Sequence, residues 1–280
     1  MTPPPAPAGP RADLWHALVD DAAIFPPGNA PLLEATATYA ARAGVAADLV
    51  ASFVLRDTDL PLVRGFGGAV SVVVTGGAGQ ISGPVALCER LGLTLAGLEI
   101  ALRDLDDLAA NVRRVDAAVR DAGIDTPVHI EIPGPATAGW LAAADEVAAS
   151  GHRLKFRLGH VDRDLVPDAA TVAAWIDAAL DRETPFKGTA GLHRAVRHEP
   201  EGGGAHGFLN VMVATAALWD GGGVADAVDA LEQREGATLA ATDLGNVRQW
   251  FTSFGSCSVT QPLDDLITLG LLAPHPAENS

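Results

Sequence analysis

The chain has 280 residues, of which 48% are hydrophobic, and a formal net charge of −16 at pH 7. That length and apolar content fit one large α/β domain. The negative charge argues against a nucleic-acid partner or an anionic membrane surface, so we expect the protein to act on a small molecule.

Three features of the chain bear on its location. Its two cysteines, Cys88 and Cys257, are too few for a disulfide framework and indicate a reducing cytoplasm. Residues 1–12 are rich in proline and lack the basic start and apolar core of a signal peptide, so we expect a disordered lead. Residues 274–280 are expected to be flexible, and no apolar run is long enough to span a membrane. The sequence leaves the oligomeric state open, with a homo-oligomer as one option.

Short β-type runs alternate with helical stretches along the chain, which is typical of a parallel sheet with crossover helices. The predicted strands are residues 49–55, 69–75, 95–101, 127–132, 153–158, 185–190, 238–242 and 251–257. The predicted helices are residues 105–122, 136–150, 168–181, 208–219, 224–232 and 262–272. Eight strands with intervening helices predict a single (β/α)₈ TIM-type barrel over residues 13–273.

Alternatives to this count remain at the sequence level. Residues 209–213 could form a strand, and a doubly wound open sheet would also alternate strands and helices. No Gly-x-Gly-x-x-Gly motif follows a strand to favour the open sheet. The glycine runs at 202–204 and 221–223 lack the strand–turn–helix context of a phosphate loop, so we interpret them as flexible loops.

Lys155 and Lys187 are the only lysines, beside seventeen arginines, and both occur inside predicted strands. Glu99, Glu131 and Arg157 likewise alternate with large apolar residues in their strands. If the apolar residues face the helices, these charges point into the barrel, where they must pair. A structural ion-pair network is one outcome. Active sites of this fold gather at the carboxyl ends of several strands, which favours a site.

Two inward lysines beside carboxylates have a specific chemical use. An ε-amine can lose its proton beside another cation and attack a carbonyl, whereas a guanidinium stays charged. We therefore predict Lys187 as a Schiff-base nucleophile whose pKa is lowered by Lys155. Glu131 or Glu99 would shuttle protons. This chemistry requires no cofactor.

The segment from Phe186 to Gly191 resembles the lysine strand of deoxyribose-phosphate aldolases, in which small and hydroxyl residues follow the lysine. Many class I aldolases and related dehydratases carry the Schiff-base lysine on the sixth strand, the predicted position of Lys187. The resemblance implies aldolase-like lyase chemistry. The chain departs from the family by placing its second lysine on the preceding strand, whereas the aldolases place it on the following one.

A broader resemblance spans almost the whole chain. The motifs VDDAAIFPP at 19–27, FKGTAGLH at 186–193, HGFLN at 206–210 and FGSCS at 254–258 are similar to a family of bacterial hypothetical proteins with no assigned reaction. The resemblance supports an enzyme-like single domain and implies no substrate.

Several further residues are candidates for binding. The predicted substrate contacts are Arg157, Thr189, His193, His206, Asn210 and Ser256. Arg157 and Ser256 would hold an anionic group, because the loops after the last strands of such barrels often bind phosphate. Cys257 could be a nucleophile or a buried apolar residue, and Cys88 is predicted to lie in the core. Asp20 and Asp21 are interpreted as a helix end before a proline-stiffened turn that caps the barrel, or otherwise as acids in the site.

Three functions follow as hypotheses. The first is a Schiff-base lyase or dehydratase that acts on a small oxygenated carbonyl compound, phosphorylated or not. The second is a divalent-metal isomerase or hydrolase acting on a sugar-like substrate, with Glu99, Glu131, His193 and His206 as ligands. No His-x-His or His-Glu-x-x-His spacing supports this metal set. The third is a barrel that binds a small anion without catalysis.

Overall fold

A computed structural model describes residues 12–159, 166–199 and 205–273. Eight parallel strands close into a barrel in chain order, β1 to β8, with β8 pairing back onto β1. The strands are β1 Val19–Asp21, β2 Val50–Arg56, β3 Ala69–Val73, β4 Thr94–Ala101, β5 Val128–Glu131, β6 Arg153–Arg157, β7 Phe186–Thr189 and β8 Phe251–Ser256. The predicted (β/α)₈ barrel is therefore confirmed.

The helices cover the outside of the barrel. They are α1 Ala12–Trp15, α2 Leu32–Ala40, α3 Gly44–Leu49, α4 Ser82–Leu91, α5 Leu108–Asp121, α6 Ala138–Ala149, α7 Ala169–Asp181, α8 Phe208–Trp219, α9 Val224–Glu232, α10 Gly236–Ala240 and α11 Thr260–Thr268. Within the described part of the chain, no helix is both long and apolar enough to cross a bilayer.

Local sequence explains where several of these helices begin and end. Asp107 and Asp168 cap α5 and α7 by accepting hydrogen bonds from backbone N–H groups three residues later. Gly123 and Gly151 follow α5 and α6 with φ angles of 62° and 70°, the left-handed conformation that ends a helix most readily at glycine.

Seven of the eight predicted strands are present, and the predicted strand at residues 238–242 is wrong. Residues 238–242 fall largely within α10, while the missing strand is β1, at Val19–Asp21. The option of a strand at 209–213 is also wrong, because these residues lie in α8. As a result, Lys155 lies on β6 and Lys187 on β7, one strand later than predicted. The lead to residue 11, the glycines at 202–204 and residues 274–280 lie outside the described residues.

Apolar residues of the strands face the helices and form the outer core. The ring of Phe156 lies 4.7 Å from that of Phe186 on the next strand, and 5.5 Å from that of Trp175 on α7. Trp140 on α6 extends this aromatic cluster. Each such side chain contributes roughly 1.5–3 kcal/mol by leaving water. Because successive strand residues point to opposite faces, burial of these apolar side chains against the helices places the polar residues between them inside the barrel.

The amino end of the barrel is closed by Arg248. Its guanidinium donates hydrogen bonds to the carbonyls of Leu14, His16, Ala17 and Thr252. These bonds join the segment before β1 to β8. Active sites of barrels of this class lie at the opposite, carboxyl end.

Candidate active site

The barrel interior holds a continuous chain of ion pairs. Lys155 and Lys187 face each other in register on adjacent strands, and Glu99 contacts both of their ammonium groups. Glu131 extends the chain from Lys155 to Arg157. The prediction that these side chains share one interior is confirmed, and neither ammonium lies on the outer surface.

Lys187 is the most enclosed of these residues, with 2% of its side chain exposed. Its Nζ lies 2.6 Å from Asp20 Oδ2 and 2.7 Å from Glu99 Oε1. Burial alone would lower the pKa of Lys187, but the two carboxylates outweigh burial and raise its pKa above the ordinary value. The expectation of a lowered pKa at Lys187 is therefore wrong: the nearest charges are carboxylates rather than the other lysine.

Lys155 is the second buried lysine of the ion-pair chain. Its Nζ lies 2.9 Å from Glu99 Oε2 and 3.1 Å from Glu131 Oε2. Glu131 is the last residue of β5, so it brings Lys155 into contact with the carboxyl end of the barrel. Both lysines are buried, and Lys155 is the one linked to a mouth residue.

Arg157 carries the chain of charges to solvent. Its guanidinium binds Glu131 through two hydrogen bonds, Nε to Oε1 at 2.7 Å and an Nη to Oε2 at 3.3 Å. Its side chain is 47% exposed, compared with 10% for Glu131. Arg157 is the last residue of β6, and Glu131 is the acceptor of its side-chain hydrogen bonds among the described residues, so its remaining N–H groups can meet a ligand at the mouth.

The ion-pair chain is electrically balanced. It contains three carboxylates and three cations, namely Asp20, Glu99, Glu131, Lys155, Arg157 and Lys187. Burial opposes ionisation of Glu99, but the ammonium groups of both lysines outweigh it and hold the pKa of Glu99 well below its usual range. Lys155 and Arg157 lower the pKa of Glu131 against burial in the same way. Both carboxylates are therefore ionised at neutral pH.

Asp20 is a site residue that the preferred interpretation of the sequence missed. It lies on β1 inside the barrel and not in a capping turn, and it is 3% exposed. Besides Lys187, its carboxylate accepts hydrogen bonds from Ser52 at 2.5 Å and Ser253 at 2.6 Å. Ser71 joins the group through Ser52. Asp21 points elsewhere and pairs with Arg42 at 2.6 Å.

His129 is a second interior residue that was not predicted. It lies on β5 next to Glu99 in register, and its two ring nitrogens have no hydrogen-bond partner among the described residues. Burial, reinforced by the positive charge of Lys187, lowers the pKa of His129 to about 3. The imidazole is therefore neutral at physiological pH. Its spacing of two residues from Glu131, which places both on one face of β5, was the available sequence signal.

The mouth is lined by the last residues of several strands. Thr189 ends β7, pairs in register with Arg157 and is partly exposed, so it is placed where a ligand could meet it. Arg56 ends β2, and its guanidinium lies 4.5 Å from the ring centroid of Phe25, in the loop after β1. Phe25 lies within the motif VDDAAIFPP, so that motif supplies both an interior acid and part of the mouth.

His193, Ser256 and Cys257 form a separate cluster after β7 and β8. His193 Nδ1 lies 3.2 Å from Ser256 Oγ and 3.3 Å from Cys257 Sγ. Ser256 donates its hydroxyl proton to the Ser258 carbonyl at 2.7 Å, so the anion contact expected of Ser256 lacks a free donor. Burial raises the pKa of Cys257 and lowers that of His193. Both groups are therefore neutral, which argues against Cys257 as a nucleophile. Cys88 lies in the core as predicted.

His206 and Asn210 serve the loops rather than the interior. His206 Nε2 lies 2.8 Å from the Pro167 carbonyl, and its Nδ1 lies 3.3 Å from Arg197. Asn210 is fully buried; it accepts a hydrogen bond from Arg197 N–H and donates two to the carbonyls of Ala230 and Gln233. The substrate contact expected of Asn210 is therefore not available.

The four residues of the metal hypothesis do not converge. Glu99 and Glu131 are bound to cations, whereas His193 and His206 contact different loops. Among the described residues, no group of three or more His, Cys, Asp or Glu side chains is arranged to hold a metal ion.

A scan against protein-family models and a search among curated proteins find no match for this chain. By its structure the protein is a (β/α)₈ barrel whose polar interior is held by ion pairs. The similarity to a family of hypothetical proteins stays a prediction, and the function is argued from the site alone.

Proposed function

We propose that the protein is a Schiff-base lyase or dehydratase for a small anionic carbonyl compound, with Lys155 as the amine. The observation that carries the proposal is the pair of buried lysines on β6 and β7 joined by Glu99. Lys187 was the predicted nucleophile, but it is enclosed by two carboxylates. Lys155 is connected through Glu131 to the exposed Arg157, which would hold an anionic group of the substrate.

The charge balance of the interior is compatible with imine formation at Lys155. The overall step converts a lysine ammonium and a ketone or aldehyde into a protonated imine and water. Lys155 transiently gives one proton to Glu131, 3.1 Å away, and the free amine adds to the carbonyl carbon. A second N–H proton then moves to the carbonyl oxygen, and Glu131 returns the first proton as that oxygen leaves as water. The protonated imine carries the same positive charge between Glu99 and Glu131 as the ammonium did. Each buried carboxylate therefore has a cationic partner both before and after imine formation.

Lys187 and Asp20 have a positioning role in this scheme. Lys187 occupies one oxygen of Glu99 and leaves the other facing Lys155. Asp20 fixes Lys187 and is itself held by Ser52 and Ser253. The four residues of the metal hypothesis are dispersed and do not support a metal-dependent reaction.

Borohydride trapping tests the proposal. The protein is incubated with short keto acids, hydroxyaldehydes and their phosphates, reduced with borohydride, and digested for mass spectrometry. With only two lysines in the chain, an adduct can be assigned without ambiguity. We expect an adduct on Lys155, retained in Lys187→Arg and lost in Lys155→Arg, because a guanidinium forms no imine.

A non-catalytic anion-binding barrel is the second candidate. It is favoured by the complete pairing of the interior carboxylates, which an ion-paired core would also show. Anion binding with no adduct from any carbonyl compound would identify this second function and contradict the lyase.

A further inference from the structure

Two arginines end opposite strands at the mouth of the barrel. Arg56 is the last residue of β2 and Arg157 the last residue of β6. In a closed barrel of eight strands, β2 and β6 are four strands apart in either direction and lie across the mouth from each other. From the geometry we infer that the ligand is a dianion with an acidic group at each end, one held by Arg157 and the other by Arg56. This inference rests on the proposed function only for the reaction of the ligand with Lys155.

Both side chains belong to the inward-facing set. Arg157 follows Lys155 by two residues and bonds the interior Glu131. Arg56 follows Ser52 by four residues, and Ser52 bonds Asp20 inside the barrel. Because successive strand residues point to opposite faces, even spacing keeps Arg56 and Arg157 on the interior side. A strand spacing near 4.8 Å and a tilt near 36° give a barrel about 15 Å across. A small diacid is shorter than that span.

The charges of both guanidinium groups are incompletely matched by the protein. Arg157 shares Glu131 with Lys155. The acidic partner of Arg56 is Asp59, whose oxygen lies 3.6 Å away, and its side chain is 40% exposed. Arg103, after β4 at the same end, donates to the Thr75 carbonyl and has no acidic partner among the described residues. In a chain with a net charge of −16, this concentration of cations gives anions a local site.

Guanidinium groups also match the geometry of carboxylates better than other cations do, since their N–H groups can bind both oxygens at once. The guanidinium of Arg56 packs against the ring of Phe25. A ligand between Arg56 and Arg157 would pass over the interior amine of Lys155. The diacid class therefore explains why the mouth holds a cation on each side.

Calorimetric titration of the full chain tests the inference without turnover. The probes are succinate, glutarate and adipate, with butyrate as the monoacid control. We expect the best diacid to bind at least about tenfold more tightly than butyrate. Arg56→Gln should abolish that preference and leave butyrate binding unchanged, because Arg157 still holds one carboxylate. Arg56→Lys should retain part of the preference. Arg90→Gln, on the exposed end of α4, is the matched control and should behave as wild type.

Equal affinity for butyrate and the diacids, no measurable diacid binding, or an unchanged preference in Arg56→Gln would overturn the inference. The outcome is separable from that of borohydride trapping. Trapping at Lys155 without a diacid preference would support the lyase function and contradict the diacid ligand. If the diacid preference depends on Arg56 but no adduct is trapped, the diacid site is supported and the lyase function is contradicted.

Discussion

Glu99 Oε1 lies 2.7 Å from Lys187 Nζ although the two residues occupy strands β4 and β7, three positions apart around the barrel. The pair therefore spans the interior instead of linking neighbouring strands. The second oxygen of Glu99, Oε2, lies 2.9 Å from Lys155 Nζ. One carboxylate thus holds two ammonium groups that would otherwise repel each other.

This position predicts unequal effects for two similar substitutions. Glu99→Leu leaves both lysines short of a carboxylate and should cost about 3–5 kcal/mol of unfolding free energy. Glu131→Leu should cost less, about 1–2 kcal/mol, because Arg157 can turn to solvent and Lys155 keeps Glu99. Urea unfolding of both variants checks the order. Equal losses would show that Glu99 has no special bridging role. Glu131→Leu should also reduce borohydride trapping at Lys155.

His129 predicts part of the acid sensitivity of the fold. Its pKa is about 3 in the folded protein and about 6.5 unfolded. Between these values the unfolded chain binds a proton that the folded chain does not. Stability therefore falls as the pH drops below about 6.5, by up to about 1.4 kcal/mol per pH unit.

The charged groups that act on His129 are Lys187, Glu99, Arg153 and Lys155, from strands β4, β6 and β7, and a neutral replacement leaves all four in place. Urea unfolding from pH 4.5 to 7 should show a shallower slope for His129→Gln than for wild type. Parallel slopes would mean that His129 titrates normally in the folded state.

Arg248 predicts a purely structural loss at the amino end. It donates to four backbone carbonyls from the segments on either side of the barrel closure. Arg248→Lys keeps the charge but cannot reproduce that number of directed bonds, so we expect a loss of about 2–4 kcal/mol. Thermal unfolding measures the effect, and calorimetric binding at the mouth should be unchanged. A change in ligand affinity without a change in stability would contradict the structural role.

Asn210 was expected to contact substrate, but its contacts predict a loss of stability without a loss of ligand affinity. Its amide makes three hydrogen bonds to backbone groups while fully buried. Asn210→Ala should lower the free energy of unfolding by about 2–3 kcal/mol, because the Arg197 N–H and two carbonyls lose their partner. Ligand affinity should stay at the wild-type level in calorimetry. Loss of affinity in a stable Asn210→Ala protein would restore its predicted substrate contact.

The barrel and the inward position of the lysines could be predicted because both follow from alternation along single strands. Strand β1 could not, because Val19–Asp21 is three residues long and two of them are acidic. The partner that makes Asp20 suitable for the interior is Lys187, 167 residues away. The predicted strand at 238–242 failed because its two threonines flank alanines and a leucine that fit a short helix equally well. The pKa of Lys187 depends on distances between strands, which alternation does not contain.

The inward placement of both lysines also affects how the protein reacts with its surroundings. All positive side chains on the described exterior are arginine or histidine, so acylating reagents that seek ε-amines find none on the folded surface. Acylation of Lys187, the more enclosed of the two lysines, would therefore report opening of the barrel. Mass spectrometry after a timed exposure to such a reagent could measure how often the interior becomes accessible, with no engineered probe.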